Sequence, residues 1–178
     1  MSVTFRKANY ADLDAVAAIY SCIHTEEKAG RTTIGWIRGI YPERATAEAA
    51  LGRNDLYIEE QDGKIVGTAI INGLQVPEYA QAPWQYNVPE EKVCVLHTLV
   101  IDPLCKGHGL GKAFVAFYEQ TALAWGRPYL RIDTNARNAA ARALYKRLGY
   151  RETAILPCTF NGIPDVQLVT LEKKAEQK

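Results

Sequence analysis

Little in these 178 residues is extreme, and each thing in short supply removes a class of protein. The 21 Lys and Arg nearly cancel the 20 Asp and Glu, leaving a net charge of +1. That balance gives no electrostatic reason to expect a nucleic-acid or membrane partner. Long apolar runs are missing too: none approaches the ~20 residues needed to span a bilayer. The opening MSVTFRKANYADLD lacks the apolar core of a secretory signal, so a cytoplasmic protein is expected. Cys22, Cys94, Cys105 and Cys158 are scattered, with no CxxC pair. They fit a reducing compartment better than a disulfide framework. Cys94 and His97 lie three positions apart in an apparent strand, which turns their side chains to opposite faces, and no metal site is expected. Repeats, low-complexity tracts and dividing linkers are also absent. One globular domain over residues 1–178 is therefore expected.

What is present reads as alternating elements. Val3–Ala8 suits a first strand, and a helix is expected from Asn9, with Asp12 helping to cap it and Gly30 as its stop. A second helix is expected over Pro42–Leu51, with Pro42 in its first turn. Leu56–Glu60 and Lys64–Asn72 form a hairpin about Gln61-Asp62-Gly63. Gly73–Lys92 reads as a long loop carrying Tyr79, Trp84 and Tyr86. Val93–Ile101 lacks alternation and reads as a central strand buried on both faces. A helix over Leu110–Trp125, a strand over Tyr129–Thr134 and a short helix closed by Gly149 follow. Strands at Tyr150–Leu156 and Val166–Leu171 are expected last, joined through Pro157–Pro164.

The stretch with the most chemistry is Val93–Lys112, VCVLHTLVIDPLCKGHGLGK. An apolar strand runs into Gly107, Gly109 and Gly111, and then into an amphipathic helix. Glycines let a backbone approach a ligand closely, and a helix N-terminus favours an anionic phosphate. A dinucleotide fold is one explanation, with Asp133 near the place of a ribose-binding acid. Against it, the spacing is GxGxG, and too little chain follows for a second nucleotide-binding half.

The other explanation uses more residues. Lys106-Gly107-His108-Gly109-Leu110-Gly111 resembles the Q/R-x-x-G-x-G/A loop of the GNAT superfamily of N-acetyltransferases. Leu99–Pro103 is similar to the strand that precedes that loop, and Asn138–Ala141 with Leu144–Tyr150 is similar to the family's closing N-x-x-A-x-x-L-Y-x-x-x-G-F/Y pattern. The departure is Lys106, where the family usually carries Arg or Gln. The resemblance implies an α/β (α+β) fold: a mixed, largely antiparallel sheet of about seven strands with a parallel, splayed central pair, flanked by about four helices.

It also implies an acetyl-CoA-dependent transfer to a primary amine of a small molecule, amino acid or peptide, by direct attack in a ternary complex. Lys106, Gly107, His108, Gly109, Leu110, Gly111 and Lys112 would cradle the pyrophosphate. Leu99, Val100 and Ile101 would pair with the pantetheine arm, and a main-chain N–H there would polarise the thioester carbonyl. Tyr145 would protonate the leaving thiolate while lining the cofactor cleft. Asn138 would bond the pantetheine or cap its helix, with Asn135 beside it. His97 is the candidate base, since Val95 stands where other members carry a glutamate. The acceptor walls would be Trp36–Tyr41, Gly73–Lys92 and Pro157–Pro164, with Glu78, Glu90, Glu91 and Asp165 as partners for a cationic amine. A homodimer is compatible with this reading. The alternatives are a non-catalytic acyl-CoA sensor of the same fold and an NAD-binding oxidoreductase.

Overall fold

The computed structural model describes residues 2–177. Strands β1 (Val3–Lys7), β2 (Leu56–Gln61), β3 (Lys64–Asn72), β4 (Val93–Ile101), β5 (Tyr129–Asn135), β6 (Arg151–Phe160) and β7 (Ile163–Lys174) form a seven-stranded sheet in the order β1-β2-β3-β4-β5-β7-β6. The helices are α1 (Leu13–Lys28), α2 (Arg44–Gly52), α3 (Leu110–Ala124) and α4 (Ala139–Arg147). Only β4 and β5 run parallel; every other neighbouring pair is antiparallel. A dinucleotide fold needs a mostly parallel sheet, so the oxidoreductase alternative falls here. None of the described helices is long and apolar enough to cross a membrane.

Each sheet face carries its own core. Phe114, Val115 and Tyr118 of α3 pack on Cys94, Leu96, Leu130 and Ile132. On the other face Val16, Ile19 and Tyr20 of α1 meet Ile58, Ile70 and Val100. The start of α1 is tied by a capping box: Asn9 Oδ1 accepts from Ala11 N–H at 2.9 Å and Asn9 N–H donates to Asp12 at 2.8 Å. A short 3-10 turn, Tyr10–Asp12, therefore precedes the helix.

Three expectations need correction. Pro42 is not in the first turn of α2. It follows a cis Tyr41–Pro42 bond, its carbonyl meets His24 Nε2 at 2.8 Å, and Glu43 is the cap. The eight residues Pro157–Pro164 are not a loop. β6 and β7 run through them and turn only at Asn161 and Gly162, both with positive φ, as a tight hairpin requires. Two prolines there suggested a break, yet proline is tolerated where no ladder N–H is needed. Burial of β4 on both faces holds for Val93–Leu96 but not for His97, Thr98 and Leu99, which are half-buried along a cleft.

Candidate active site

The cleft begins where β4 and β5 part. Val93–Leu96 pairs with Tyr129–Ile132, and pairing stops there. Tyr118 of α3 marks the closed end, its hydroxyl 2.6 Å from the Cys94 carbonyl and 3.3 Å from that of Arg131. The parting has a local cause. Thr98 sits at φ 51°, and the β3–β4 register shifts there, with Ile70 opposite His97 but Thr68 opposite Val100. This is a bulge, which bends its strand away from the neighbour and inverts the side-chain phase. Leu96 and Leu99, three apart, consequently pack against the same cluster under α3. Past the bulge β4 presents an edge that β5 does not cover, while β5 continues along β7 through Asp133↔Thr170, Thr134↔Val169 and Asn135↔Leu168.

At the end of β4, Asp102 anchors the chain: its N–H donates to the Val66 carbonyl at 2.8 Å, and its Oδ1 accepts from Leu104 N–H at 3.0 Å. Gly107 and Gly109 then adopt φ of 87° and 75°, a conformation that L side chains rarely take. Gly109 caps α3 without any side-chain bond. Among the described residues, no main-chain N–H from Gly107 to Lys112 finds an acceptor. A Cβ at Gly107 or Gly109 would meet nothing within 4 Å. Free N–H groups facing open space at the positive end of α3 are an arrangement suited to a diphosphate. Lys106, His108 and Lys112 are exposed around it.

The cleft itself encloses about 120 Å³, enough for several waters, hence for an acyl group beside a short amine. Tyr145, Asn138, Ala141 and Leu99 line it on the side of α4; Trp36, Tyr41, His97, Asp133 and Phe160 line the other. The Tyr145 hydroxyl has no hydrogen-bond partner among the described residues. Its ring is held at 5.8 Å from that of Tyr150. The Tyr41 hydroxyl bonds the hydroxyl of Thr98, tying the α1–α2 connection to the bulge.

A model of the acetyltransferase (GNAT) family matches residues 15–150. The chain belongs to this family. An uncharacterized N-acetyltransferase of Methanocaldococcus jannaschii is 29% identical over 98 residues, which is 54% of this chain but only 42% of that protein. Among solved structures, a GNAT-family acetyltransferase from Streptococcus agalactiae superposes with a TM-score of 0.76 at 19% identity, over 98% of this chain and 96% of that one. The Salmonella typhimurium putative acetyltransferase yncA, solved with its cofactor acetyl-CoA, gives 0.68 at 18% identity, over 100% and 96%. At such identities these two establish the fold.

Within this GNAT chain the polar groups divide by protonation. His97 Nε2 lies 2.9 Å from Asn72 Oδ1. That oxygen is identified by its neighbours: Asn72 Nδ2 donates to Asp55 at 2.8 Å, and Oδ1 also accepts from Leu74 N–H at 2.9 Å. Nε2 must therefore carry the proton, leaving Nδ1 as the basic nitrogen. Burial holds His97 down to about 4, against the opposing pull of Asp55, so the ring is neutral at pH 7. Asp133 behaves in the opposite sense. Burial raises it to about 6, the hydrogen bond from the Tyr79 hydroxyl (2.7 Å) pulls back, and the charge of Glu78 adds to the rise. By surface area Asp133 is only half-buried; its exposure is to the narrow cleft, which solvates a charge poorly. Burial also keeps Tyr145 above its ordinary value, with the charge of Asp133 acting in the same direction.

Sequence reasoning and structure meet unevenly here. Tyr145, His97, Leu99, Asn135 and Asn138 do line one cleft, while Val100 turns into the α1 core. Asn138 caps α4, its Oδ1 accepting from Ala141 N–H at 3.1 Å. Asn135 Oδ1 accepts from Arg137 N–H at 3.0 Å. The Asn135 amide lies against Gly35, where an added Cβ would come within 2.3 Å of Nδ2. None of Glu78, Glu90, Glu91 and Asp165 lines the cleft. The carboxylate that does is Asp133, weighed from sequence only as a ribose ligand. Its signal was the polar–apolar alternation Leu130-Arg131-Ile132-Asp133; what was missing was the register, Ile132 beside Leu96, after which the strands part and both Asp133 and His97 line the cleft.

Proposed function

We propose that this chain, acting as one domain over residues 1–178, transfers the acetyl group of acetyl-CoA to a primary amine. The observation that carries the proposal is the row of unbonded N–H groups from Gly107 to Lys112 leading into the uncovered edge of β4. The row fits the diphosphate, and the edge fits the amide-bearing pantetheine arm as an added strand. The acetyl-CoA recorded with the Salmonella relative supports the same ligand here.

The chemistry follows from the groups around the gap. The amine enters from the side of Trp36 and Phe160 and gives up a proton to Asp133, directly or through water. At about 6, that carboxylate is mostly ionised at pH 7 and is better matched to the task than His97. His97, neutral and bonded to Asn72, orients the wall. Nitrogen attacks the thioester carbonyl, whose oxygen takes the developing charge toward the β4 main chain near Leu99. The C–N bond forms, the C–S bond breaks, and the departing thiolate takes the proton of Tyr145, which its raised pKa keeps in place until then. The second proton of the newly acylated nitrogen passes through cleft water to the Tyr145 phenolate, leaving amide, free thiol and protonated Asp133.

The test combines binding and turnover. Acetyl-CoA should raise the melting temperature in proportion to its concentration above Kd, and amines should elicit release of free thiol. Binding without thiol release across a broad amine panel would favour the sensor reading; no binding would remove both.

A further inference from the structure

The charge pattern of the cleft narrows the acceptor. Asp133 is the only carboxylate among the residues lining it, and those residues include no lysine or arginine. Asp133 Oδ2 accepts from Tyr79, whereas Oδ1 has no partner among the described residues and is not sealed from the cleft. The nearby guanidinium groups are engaged elsewhere. Arg131 donates to Gln75 and to the Tyr86 carbonyl, and stacks 4.1 Å from the Trp84 ring centroid. Arg53 is bonded to Asp55 at 2.9 Å. Part of the lining is apolar, with Ile163, Val166 and Leu168 in one buried cluster and Trp36, Tyr41 and Phe160 packed on it; the rest includes the uncharged polar side chains of Thr98, Thr134, Asn135 and Asn161.

An ammonium group entering this space meets one opposite charge on a lining that is otherwise uncharged. A carboxylate on the same carbon would be stripped of water beside Asp133 with no cation to meet it, and like charges brought together out of water repel strongly. We infer that the acceptor is a primary amine with no anionic group on the carbon that bears its nitrogen. This rests on the acetyltransferase reading above and narrows it. Free α-amino acids are excluded as good substrates; amines and amino-acid amides are not.

The experiment uses acceptors that share a side chain and differ at that carbon: 2-phenylethylamine, L-phenylalaninamide and L-phenylalanine, with butylamine and L-norvaline as a smaller pair. Thiol release from acetyl-CoA gives kcat/KM for each, and acetyl-CoA-induced stabilisation is recorded in parallel. Each free acid should fall at least ~100-fold below its uncharged counterpart. Asp133→Asn should keep its stabilisation by acetyl-CoA, lose amine turnover by at least ~100-fold, and compress the amine-to-acid ratio. Acids used as well as amines, an Asp133→Asn ratio like that of the wild type, or no amine turnover by a chain that acetyl-CoA stabilises would each overturn the inference. The first two leave the acetyltransferase reading standing. A folded chain that acetyl-CoA does not stabilise fails at that earlier reading instead.

Discussion

Glu59 of β2 is fully buried, and neither carboxylate oxygen has a hydrogen-bond partner among the described residues. It lies on the α3 side of the sheet with Tyr57, in a space left by Gly67, where an added Cβ would come 3.0 Å from Oε2. Burial alone raises its carboxyl from 4.5 to about 7. The folded state therefore holds a proton that the unfolded state has released. Stability from this group is complete below pH 4.5 and is lost as pH rises through about 7. Each tenfold change in proton affinity is worth roughly 1.4 kcal/mol, so the loss is about 3 kcal/mol. Glu59→Gln keeps the shape and cannot ionise. It should match the wild type near pH 4.5 and exceed it at pH 8 by about 2–3 kcal/mol, a rise in melting temperature of roughly 5–10 °C for a chain of this size. Circular-dichroism melts of both proteins at both pH values isolate Glu59, because other titrating groups, Asp133 included, cancel in the difference. A difference that does not change with pH, or a variant less stable at pH 8, would refute the reasoning.

Other outcomes follow from the site. Tyr145→Phe should lower kcat by about 100-fold or more while changing acetyl-CoA affinity little, as separate turnover and titration measurements would read. Gly109→Trp costs on the order of 1–2 kcal/mol because of its φ of 75°, yet the space around its Cβ is open; it should fold and lose the acetyl-CoA-induced rise in melting temperature. Tyr79→Phe removes the bond that lowers Asp133, so the acidic limb of the kcat/KM profile should move upward from about pH 6; an unmoved limb would assign it to another group.

How much was legible depended on whether the information was local. The glycine loop, the capping box at Asn9 and the hairpin at Asp62-Gly63 are written in neighbouring residues and were readable. Tyr145 was placed by its spacing within a motif rather than by any property of its own. Asp133 and the Thr98 bulge depend on which residue of one strand faces which residue of another, and a single chain does not display that register. The same holds for Glu59: only the pairing of β2 with β1 and β3 distinguishes it, buried, from Glu60, which is held by Arg6. The prolines at 157 and 164 misled because their cost depends on ladder N–H groups that only the pairing reveals.

The most direct test is a crystal structure of this chain grown with coenzyme A. The diphosphate should lie against the N–H groups of Gly107–Lys112, the pantetheine along β4 beyond Thr98, and the thiol between β4 and β5 near the Tyr145 hydroxyl. A diphosphate bound elsewhere, with this loop facing only solvent, would contradict the assignment.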